Sequence, residues 1–220
     1  MSRAWLKQAL APWLYRHPVP ELPPTRLYLY LDAIWRTRAL PGAIVEVGCF
    51  QCGTSASAFR MTRAIGLNRR HVCIDTFGGF VGSQFARDVA LGTSPAHERG
   101  FQANSLALVT RLLELWRVSE IELVQADIAA LATDRLPDQI AVALVDVDLE
   151  APTHAALEKI YPRLVAGGAI LIDDCSADAS NVFRGARVGY QRFIADRHLP
   201  ERYAFGMGCI GDVPPQLPAD

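Results

Sequence analysis

Short apolar runs alternate with segments of helical periodicity along most of this chain. Four of these runs carry a carboxylate at or near their C-terminal end, and they span Ala43–Val47, His71–Asp75, Ile140–Asp146 and Ala169–Asp174. Strands that are apolar throughout need cover on both faces of a sheet, and helices between them favour parallel pairing. The alternation therefore predicts an α/β fold, a three-layer Rossmann-like sandwich around a mostly parallel sheet.

The remaining periodic segments complete this architecture. Apolar spacing predicts helices at about 26–37, 54–65, 102–116, 153–164 and 184–198. Further strands at 120–125, 202–205 and 207–211 bring the sheet to seven, and the last two are expected to form an antiparallel hairpin at its edge. Gly167 and Gly168 are expected to end the helix at 153–164, because glycine accepts the left-handed conformation that closes a helix.

Two segments interrupt the alternation. Residues 77–100 contain five glycines, one proline and few apolar residues, which favours a long loop, or lid, over a site. Residues 17–25 contain four prolines and are expected to form an extended connector. Met1–Tyr15 is expected to be an amphipathic helix that packs on its own domain, covers the site or binds a second subunit. We therefore divide the chain into an N-terminal helical extension, residues 1–40, and a main domain, residues 41–220.

The composition argues against several classes of protein. Half of the residues are apolar, a fifth are charged and the formal net charge is -1, which is typical of a globular protein. Without a strongly basic region, nucleic acid is not an expected partner. Lys7 and Pro12 break the N-terminal apolar run, so no membrane partner is expected. Five cysteines, an odd number, argue against a secreted disulfide framework and favour the cytoplasm.

The first two strand ends predict a nucleoside cofactor, since ligands of open α/β sheets bind beyond the carboxyl ends of the strands. After the first strand, the segment Glu46–Ser55 offers glycines for close approach and a helix N-terminus whose free N–H groups suit a carboxylate, such as that of methionine. Asp75 ends the second strand, where an acid accepts both hydroxyls of a ribose, and Thr76 follows it. A tight strand-to-helix turn alone would also explain the glycines. A dinucleotide-binding dehydrogenase shares the acid, but this loop lacks the spacing G-x-G-x-x-G.

A second group of acids predicts a metal site. Asp146 is expected to end a strand beside the one that ends at Asp173 and Asp174. Three converging carboxylates repel one another unless a cation lies between them, and oxygen ligands suit magnesium, calcium or manganese. Asp148 is a further candidate, either as a ligand or as a general base. The alternative is that these aspartates cap a turn and a helix.

Cysteines and histidines supply weaker candidates. Cys49 and Cys52 form a C-x-x-C pair between a strand and a helix, as in thioredoxin-like redox sites, but small residues lining a tight loop explain them equally. A structural zinc site is not expected, since no second cysteine pair lies close in sequence. His97 in the lid and His154 after the fourth long strand are candidate general bases. A lone histidine is more often a surface or helix residue.

Four blocks together resemble the macrocin O-methyltransferase family. These blocks are Glu46–Ser55, Ile74–Phe80, Ala143–Leu149 and Tyr161–Asp174, in the order and spacing of that family. The resemblance implies a class I methyltransferase dependent on S-adenosylmethionine. It also implies that the methionine part is surrounded by Glu46, Gly48, Gly53 and Ser55, with the neighbouring Thr54. Asp75 would hold the ribose and Asp127 would lie beside the adenine. Thr76 and Asp146 are also expected to contact the cofactor.

The same resemblance implies that magnesium, or another hard divalent cation, is held by Asp146, Asp173 and Asp174. Catechol O-methyltransferases have a catalytic lysine three residues after the first metal aspartate, and this chain has Leu149 there. It also has Cys52 where the family usually has glycine and Cys175 where it usually has tyrosine. The catalytic residues are therefore expected among Asp146, Asp148 and His97.

The sequence as a whole predicts a magnesium-assisted O-methyltransferase. The expected partner is a small molecule that offers a hydroxyl, such as a sugar or another natural-product intermediate. A non-catalytic cofactor-binding scaffold and an NAD-linked oxidoreductase are the alternatives. Whether the chain forms a homo-oligomer is left open.

Overall fold

The computed structural model describes residue 10 and residues 13–178 and 181–213. Most of the helix predicted for Met1–Tyr15 lies outside these residues. Six helices are described: α1 (Pro24–Arg36), α2 (Gly53–Ala64), α3 (Gly82–Ala90), α4 (Leu106–Trp116), α5 (Glu150–Ile160) and α6 (Gly185–Asp196). The strands are β1 (Ala43–Val47), β2 (His71–Asp75), β3 (Glu122–Gln125), β4 (Ile140–Val145), β5 (Leu164–Ile172), β6 (Tyr203–Ala204) and β7 (Met207–Gly211).

The seven strands form one sheet in the order β3-β2-β1-β4-β5-β7-β6. The first five run parallel, whereas β7 is antiparallel to both β5 and β6. The predicted three-layer sandwich and its antiparallel C-terminal hairpin are thus confirmed. None of the described helices is both long and apolar enough to cross a bilayer.

Both faces of the sheet are covered, as its apolar strands require. On β4, Ala143 and Val145 belong to a core shared with α5 and α6, whereas Val142 and Leu144 belong to a core shared with α1. Leu29 of α1 is completely buried in the second core. Helix α1 therefore packs directly against the sheet, and the division at residue 40 stays a prediction.

The expected helix stop at Gly167 and Gly168 is wrong. Helix α5 ends at Ile160, a 3-10 turn follows at Tyr161–Arg163, and both glycines lie inside β5. Pro162 has no backbone N–H and cannot continue the α-helical ladder. The glycines instead accommodate an irregular register, in which Ile140 pairs with Leu164 but Val142 pairs with Ala169.

The lid also contains more structure than a loop. Residues 82–90 form α3, whose Phe85 and Asp88 are buried. Asp88 Oδ1 accepts a hydrogen bond of 3.0 Å from the backbone N–H of Glu150, at the N-terminus of α5. This contact fixes the lid to the main domain, because it satisfies one of the free donors at the start of that helix.

Candidate active site

A cavity of about 380 Å³ lies beyond the carboxyl ends of the parallel strands. This volume is typical of a site for a small molecule. Ten residues predicted from the sequence line it: Glu46, Gly48, Thr54, Asp75, Thr76, Asp127, Asp146, Asp148, Asp173 and Asp174. Gly53, Ser55 and His97 are predicted site residues that do not.

The loop after β1 is shaped by close backbone contacts. Gly48 has a φ of +83°, and a Cβ there would collide with the backbone carbonyl of Asp146 at the end of β4. A Cβ at Gly53 would collide with the backbone carbonyl of Val19 in the proline-rich connector. Both positions require glycine for packing of the chain on itself, whatever further use a ligand makes of them.

Glu46 is a buried acid without full hydrogen bonding. It is 3% exposed, and its Oε2 has no hydrogen-bond partner. Burial raises the pKa of Glu46 well above its usual value, since the charged form is poorly solvated. Because Glu46 lines the cavity, the free oxygen is an acceptor available to a ligand.

Asp75 and Asp127 are acids whose position is fixed by donors of the protein. Asp75 Oδ1 accepts from the backbone N–H of Phe77 at 2.7 Å, and Oδ2 accepts from that of Phe50 at 2.9 Å. Burial nevertheless raises the pKa of Asp75. Asp127 accepts from Gln84 of the lid helix at 2.8 Å. The Thr76 hydroxyl also donates to Asp75 Oδ1, at 3.5 Å. A carboxylate has about four lone-pair sites, so Asp75 can still accept from a further donor.

Glu21, in the connector, was missed by sequence reasoning. Its Oε2 accepts a 3.2 Å hydrogen bond from the backbone N–H of Thr54, in the first turn of α2. The backbone N–H of Glu21 in turn donates to Thr54 Oγ1 at 3.2 Å. Burial raises the pKa of Glu21. The helix N-terminus predicted to take a cofactor carboxylate therefore holds a carboxylate of the protein itself.

The aspartates after β4 and β5 converge. Carboxylate oxygens of Asp146, Asp148 and Asp174 all lie within 4.8 Å of one another. Burial, and then the neighbouring aspartates, raise the pKa of Asp146 and of Asp148 well above the usual value. Asp148 and Asp174 also have left-handed backbone, with φ of +64° and +53°. Strained backbone of this kind is often found at functional sites.

Asp173 forms an ion pair with an arginine that belongs to no motif of the sequence. Arg26 Nη1, in α1, lies 2.7 Å from Asp173 Oδ1 and 3.2 Å from Asp174 Oδ1. Burial, and then the neighbouring Asp174, raise the pKa of Asp173 to about 6, although Arg26 opposes the rise. The three converging carboxylates are therefore those of Asp146, Asp148 and Asp174. The metal ligands predicted from the sequence include Asp173 in place of Asp148.

Four phenylalanines from distant segments form an aromatic wall of the cavity: Phe50, Phe80, Phe101 and Phe183. His97 packs edge-on against Phe183, with ring centroids 5.7 Å apart, and lies outside the cavity lining. His154 lies on α5, 3.6 Å from Asp196, and does not line the cavity either. Among the described residues, no histidine lines the cavity, and the acids are its titratable groups suited to accept a proton.

Solved O-methyltransferases share this fold. The O-methyltransferase NovP matches with a TM-score of 0.73 at 17% identity, over 86% of this chain and 80% of NovP. Calicheamicin methyltransferase CalS11 matches with a TM-score of 0.66 at 20% identity, over 95% of this chain and 91% of CalS11. Another structure of CalS11 describes it as a TDP-rhamnose 3'-O-methyltransferase. An O-methyltransferase from Bacillus cereus, in complex with S-adenosylhomocysteine, matches with a TM-score of 0.57 at 11% identity, over 96% and 92%.

Comparison with curated proteins gave no match. The family model of macrocin O-methyltransferase (TylF) matches residues 30–201, which is most of the chain. That stretch includes the four blocks of the sequence resemblance and all the acids at the strand ends. The chain therefore belongs to the macrocin O-methyltransferase family and is an S-adenosylmethionine-dependent O-methyltransferase.

Proposed function

We propose that this O-methyltransferase methylates a hydroxyl group of a small molecule, a sugar or another natural-product intermediate, with the assistance of Mg²⁺. The observation that carries the proposal is the convergence of Asp146, Asp148 and Asp174 in the wall of the cavity. The description of CalS11 as a TDP-rhamnose methyltransferase supports a sugar as the acceptor. Family membership favours this activity over the scaffold and the NAD-linked oxidoreductase.

The cofactor would be held by the acids at the ends of β1, β2 and β3. Glu46 offers its free oxygen to the methionine part, and Asp75 offers its remaining lone pair to a ribose hydroxyl. Asp127, which Gln84 fixes beside the cavity, would lie next to the adenine. These roles need hydrogen-bond acceptors in fixed positions, which the three side chains provide.

The metal would be held by Asp146, Asp148 and Asp174. Hard oxygen donors suit Mg²⁺. Burial and then repulsion by neighbouring aspartates raise the pKa values of Asp146 and Asp148, and a divalent cation would relieve that repulsion. When bound, such an ion supplies Lewis-acid chemistry that lowers the pKa of an acceptor hydroxyl. Asp173, which the sequence named as a ligand, would instead position Asp174 together with Arg26.

The chain itself would supply position and exclude water. The aromatic wall is apolar and closes one side of the cavity. The carboxylates would orient the acceptor oxygen toward the cofactor's methyl group. Holding two reactants in the correct geometry accounts for a large part of such a rate enhancement. The proton of the acceptor hydroxyl would leave to a carboxylate of the site, since no histidine among the described residues lines the cavity.

The direct test measures formation of S-adenosylhomocysteine with a panel of acceptors that includes nucleotide-linked deoxysugars, free sugars and catechols. We expect turnover with a sugar acceptor that is lost in chelator and restored by Mg²⁺. Full turnover in excess chelator would refute the metal. Turnover with catechols alone would refute the sugar.

A matched pair of variants tests which aspartates hold the ion. Asp148→Asn keeps an oxygen ligand but removes the charge, so we expect weak activity that recovers as the Mg²⁺ concentration rises. Asp173→Asn loses its ion pair with Arg26, and we expect its Mg²⁺ dependence to stay close to that of the wild type. If Asp173→Asn needs more Mg²⁺ and Asp148→Asn does not, Asp173 is the ligand. If Asp148→Asn is inactive at every Mg²⁺ concentration, Asp148 is the general base.

A further inference from the structure

The fold brings a third cysteine to the C-x-x-C pair. Cys49 and Cys52 lie in the loop after β1, and Cys73 lies in β2, where it pairs in register with Glu46. The Sγ atoms of the three cysteines all lie within 4.8 Å of one another. Each residue is at most 2% exposed. The reaction proposed above uses none of these thiols.

The three thiols lie in a mostly apolar core, with the buried Glu46 and His71 close enough to Cys73 to interact electrostatically with it. The cysteines belong to a core cluster with Phe59, Phe77 and the buried leucines of α4. Ser55 Oγ lies 3.1 Å from Cys73 Sγ. Among the described residues, these three thiols form a ligand group without histidine or carboxylate. Such a donor set is soft, which favours thiophilic ions over Mg²⁺ or Ca²⁺.

The three thiols lie close enough to interact with one another. Hydrogen bonds from Cys49 and Cys52 lower the pKa of Cys73, whereas burial raises the pKa of the Cys49 and Cys52 thiols. A thiolate is the form of cysteine that binds metals.

We propose that Cys49, Cys52 and Cys73 form a binding site for a soft monovalent cation, with Cu(I) as the biological example. The ion bonds to two of the three sulfurs as thiolates, and a proton on a bonding sulfur is released to water. Two thiolates and one monovalent cation together carry a single negative charge. Keeping this charge small limits the cost of placing ions in an apolar core.

The number of ligands separates Cu(I) from Zn(II). Structural zinc takes four protein ligands in a tetrahedron, whereas this site offers three sulfurs. Access is available through Cys49, which also lines the active-site cavity. Two of its three ligands, Cys49 and Cys52, lie in the loop between Gly48 and Gly53. The site depends on the sulfur geometry and does not require the proposed function to be correct.

The experiment titrates reduced wild-type protein with Cu(I) under anaerobic conditions, in competition with a chromophoric Cu(I) chelator. We expect one ion per chain and an ultraviolet thiolate-to-copper absorption band. Cys73→Ser should weaken binding by at least about 100-fold, because even residues that only orient ligands change metal affinity by about 10–100-fold. Cys209→Ser removes another buried cysteine and should leave the affinity unchanged.

A measurement that needs no variant protects the test against misfolding of Cys73→Ser. The time course of alkylation is followed at each cysteine by peptide mass spectrometry, with and without Cu(I). Loading should slow the alkylation of Cys49, Cys52 and Cys73 and leave that of Cys175 and Cys209 unchanged. Absence of stoichiometric binding, equal protection of all five cysteines, or stoichiometric binding of Zn(II) without Cu(I) would each overturn the proposal.

Discussion

The acids on the two sides of the cavity differ in what compensates their charge. In the cofactor half, defined by Glu46, Asp75 and Asp127, the last two accept hydrogen bonds from fixed N–H donors. In the metal half, defined by Asp146, Asp148, Asp173 and Asp174, three carboxylates face one another, and Arg26 contacts only the last two. The cofactor half therefore holds two of its acids with donors of the protein, whereas the metal half holds carboxylates whose mutual repulsion is only partly offset by Arg26.

The largest expected difference between the halves is their response to Mg²⁺. A cation at about 100 times its Kd stabilises the folded state by about 2.7 kcal/mol. For a chain of this size that corresponds to a rise in Tm of roughly 5–10 °C. We expect this rise in the wild type and in Glu46→Gln, measured by thermal unfolding with chelator or Mg²⁺. Asp146→Asn should lose most of it. An equal rise in Tm with Mg²⁺ in all three proteins would mean that the metal half does not bind Mg²⁺ in preference to the cofactor half.

The second difference concerns Glu46, the one acid of the cofactor half with an oxygen that lacks a partner. Glu46→Gln removes the charge but keeps the size, so it should weaken binding of S-adenosylmethionine by about 10–100-fold, the usual contribution of a hydrogen bond to a charged group. The free energy of unfolding without ligand should not fall, because the variant removes a poorly solvated charge. Isothermal titration and denaturant unfolding measure the two effects.

The control for that comparison is Glu122→Gln. Glu122 is an exposed acid paired with Arg70, far from the cavity, and its replacement should leave cofactor affinity unchanged. If Glu46→Gln binds the cofactor as tightly as Glu122→Gln does, Glu46 does not contact the cofactor.

The strand-end acids were predictable because two regularities fix them. A strand that is apolar throughout is identified from the sequence, and parallel pairing brings the carboxyl ends of neighbouring strands to one edge. Asp146 and Asp173 lie 27 positions apart, yet β4 and β5 are neighbours, as expected. The same reasoning located Asp75 and Asp127. Position along the strand was therefore enough to assemble most of the acids of the site.

What the sequence could not give depends on contacts between distant segments. Arg26 and Glu21 reach the site because α1 packs on the sheet and the connector runs over α2, and neither residue belongs to a motif. Of the phenylalanines in the aromatic wall, Phe50 and Phe80 lie in blocks of the resemblance but had no role assigned, and Phe101 and Phe183 lie outside the blocks. Cys73 joins Cys49 only through the register of β1 and β2. Glycines were misjudged for a similar reason, since Gly167 and Gly168 serve an irregular strand pairing and not a helix end.

A smaller effect is expected at Asp88, an acid of the lid. Its hydrogen bonding is intermediate between that of the cofactor half and that of the metal half. Asp88 is fully buried, and its Oδ1 has one donor while its Oδ2 has none. Burial raises the pKa of Asp88 from 3.8 to about 6. Because the folded state favours the protonated form, the contribution of Asp88 to stability is greatest below about pH 4 and is lost as the pH rises through about 6.

Asp88→Asn is neutral at every pH, so it should unfold with a shallower dependence of stability on pH between 4 and 7. At pH 7 it should be more stable than the wild type by about 1–2 kcal/mol. Denaturant unfolding in chelator measures this without interference from a metal. The exposed Asp138 provides the control, since Asp138→Asn should follow the wild-type curve. A slope unchanged by Asp88→Asn would place the titrating group elsewhere.

The smallest expected effect concerns the connector. The connector contributes Glu21 to the cofactor half. It leads into α1, which contributes Arg26 to the metal half. Arg26 offsets negative charge in the metal half. Glu21 instead adds a carboxylate at the N-terminus of α2, where the carboxylate of the cofactor is predicted to bind. Charge at a helix N-terminus contributes about 0.3–1 kcal/mol, so Glu21→Gln should tighten S-adenosylmethionine binding by about 2–5-fold. The gain should shrink at lower pH, because the raised pKa of Glu21 lets the wild-type side chain become neutral there. Isothermal titration of the wild type and Glu21→Gln at two pH values measures this change. If Glu21 has a structural role instead, the variant would bind the cofactor more weakly than the wild type at both pH values.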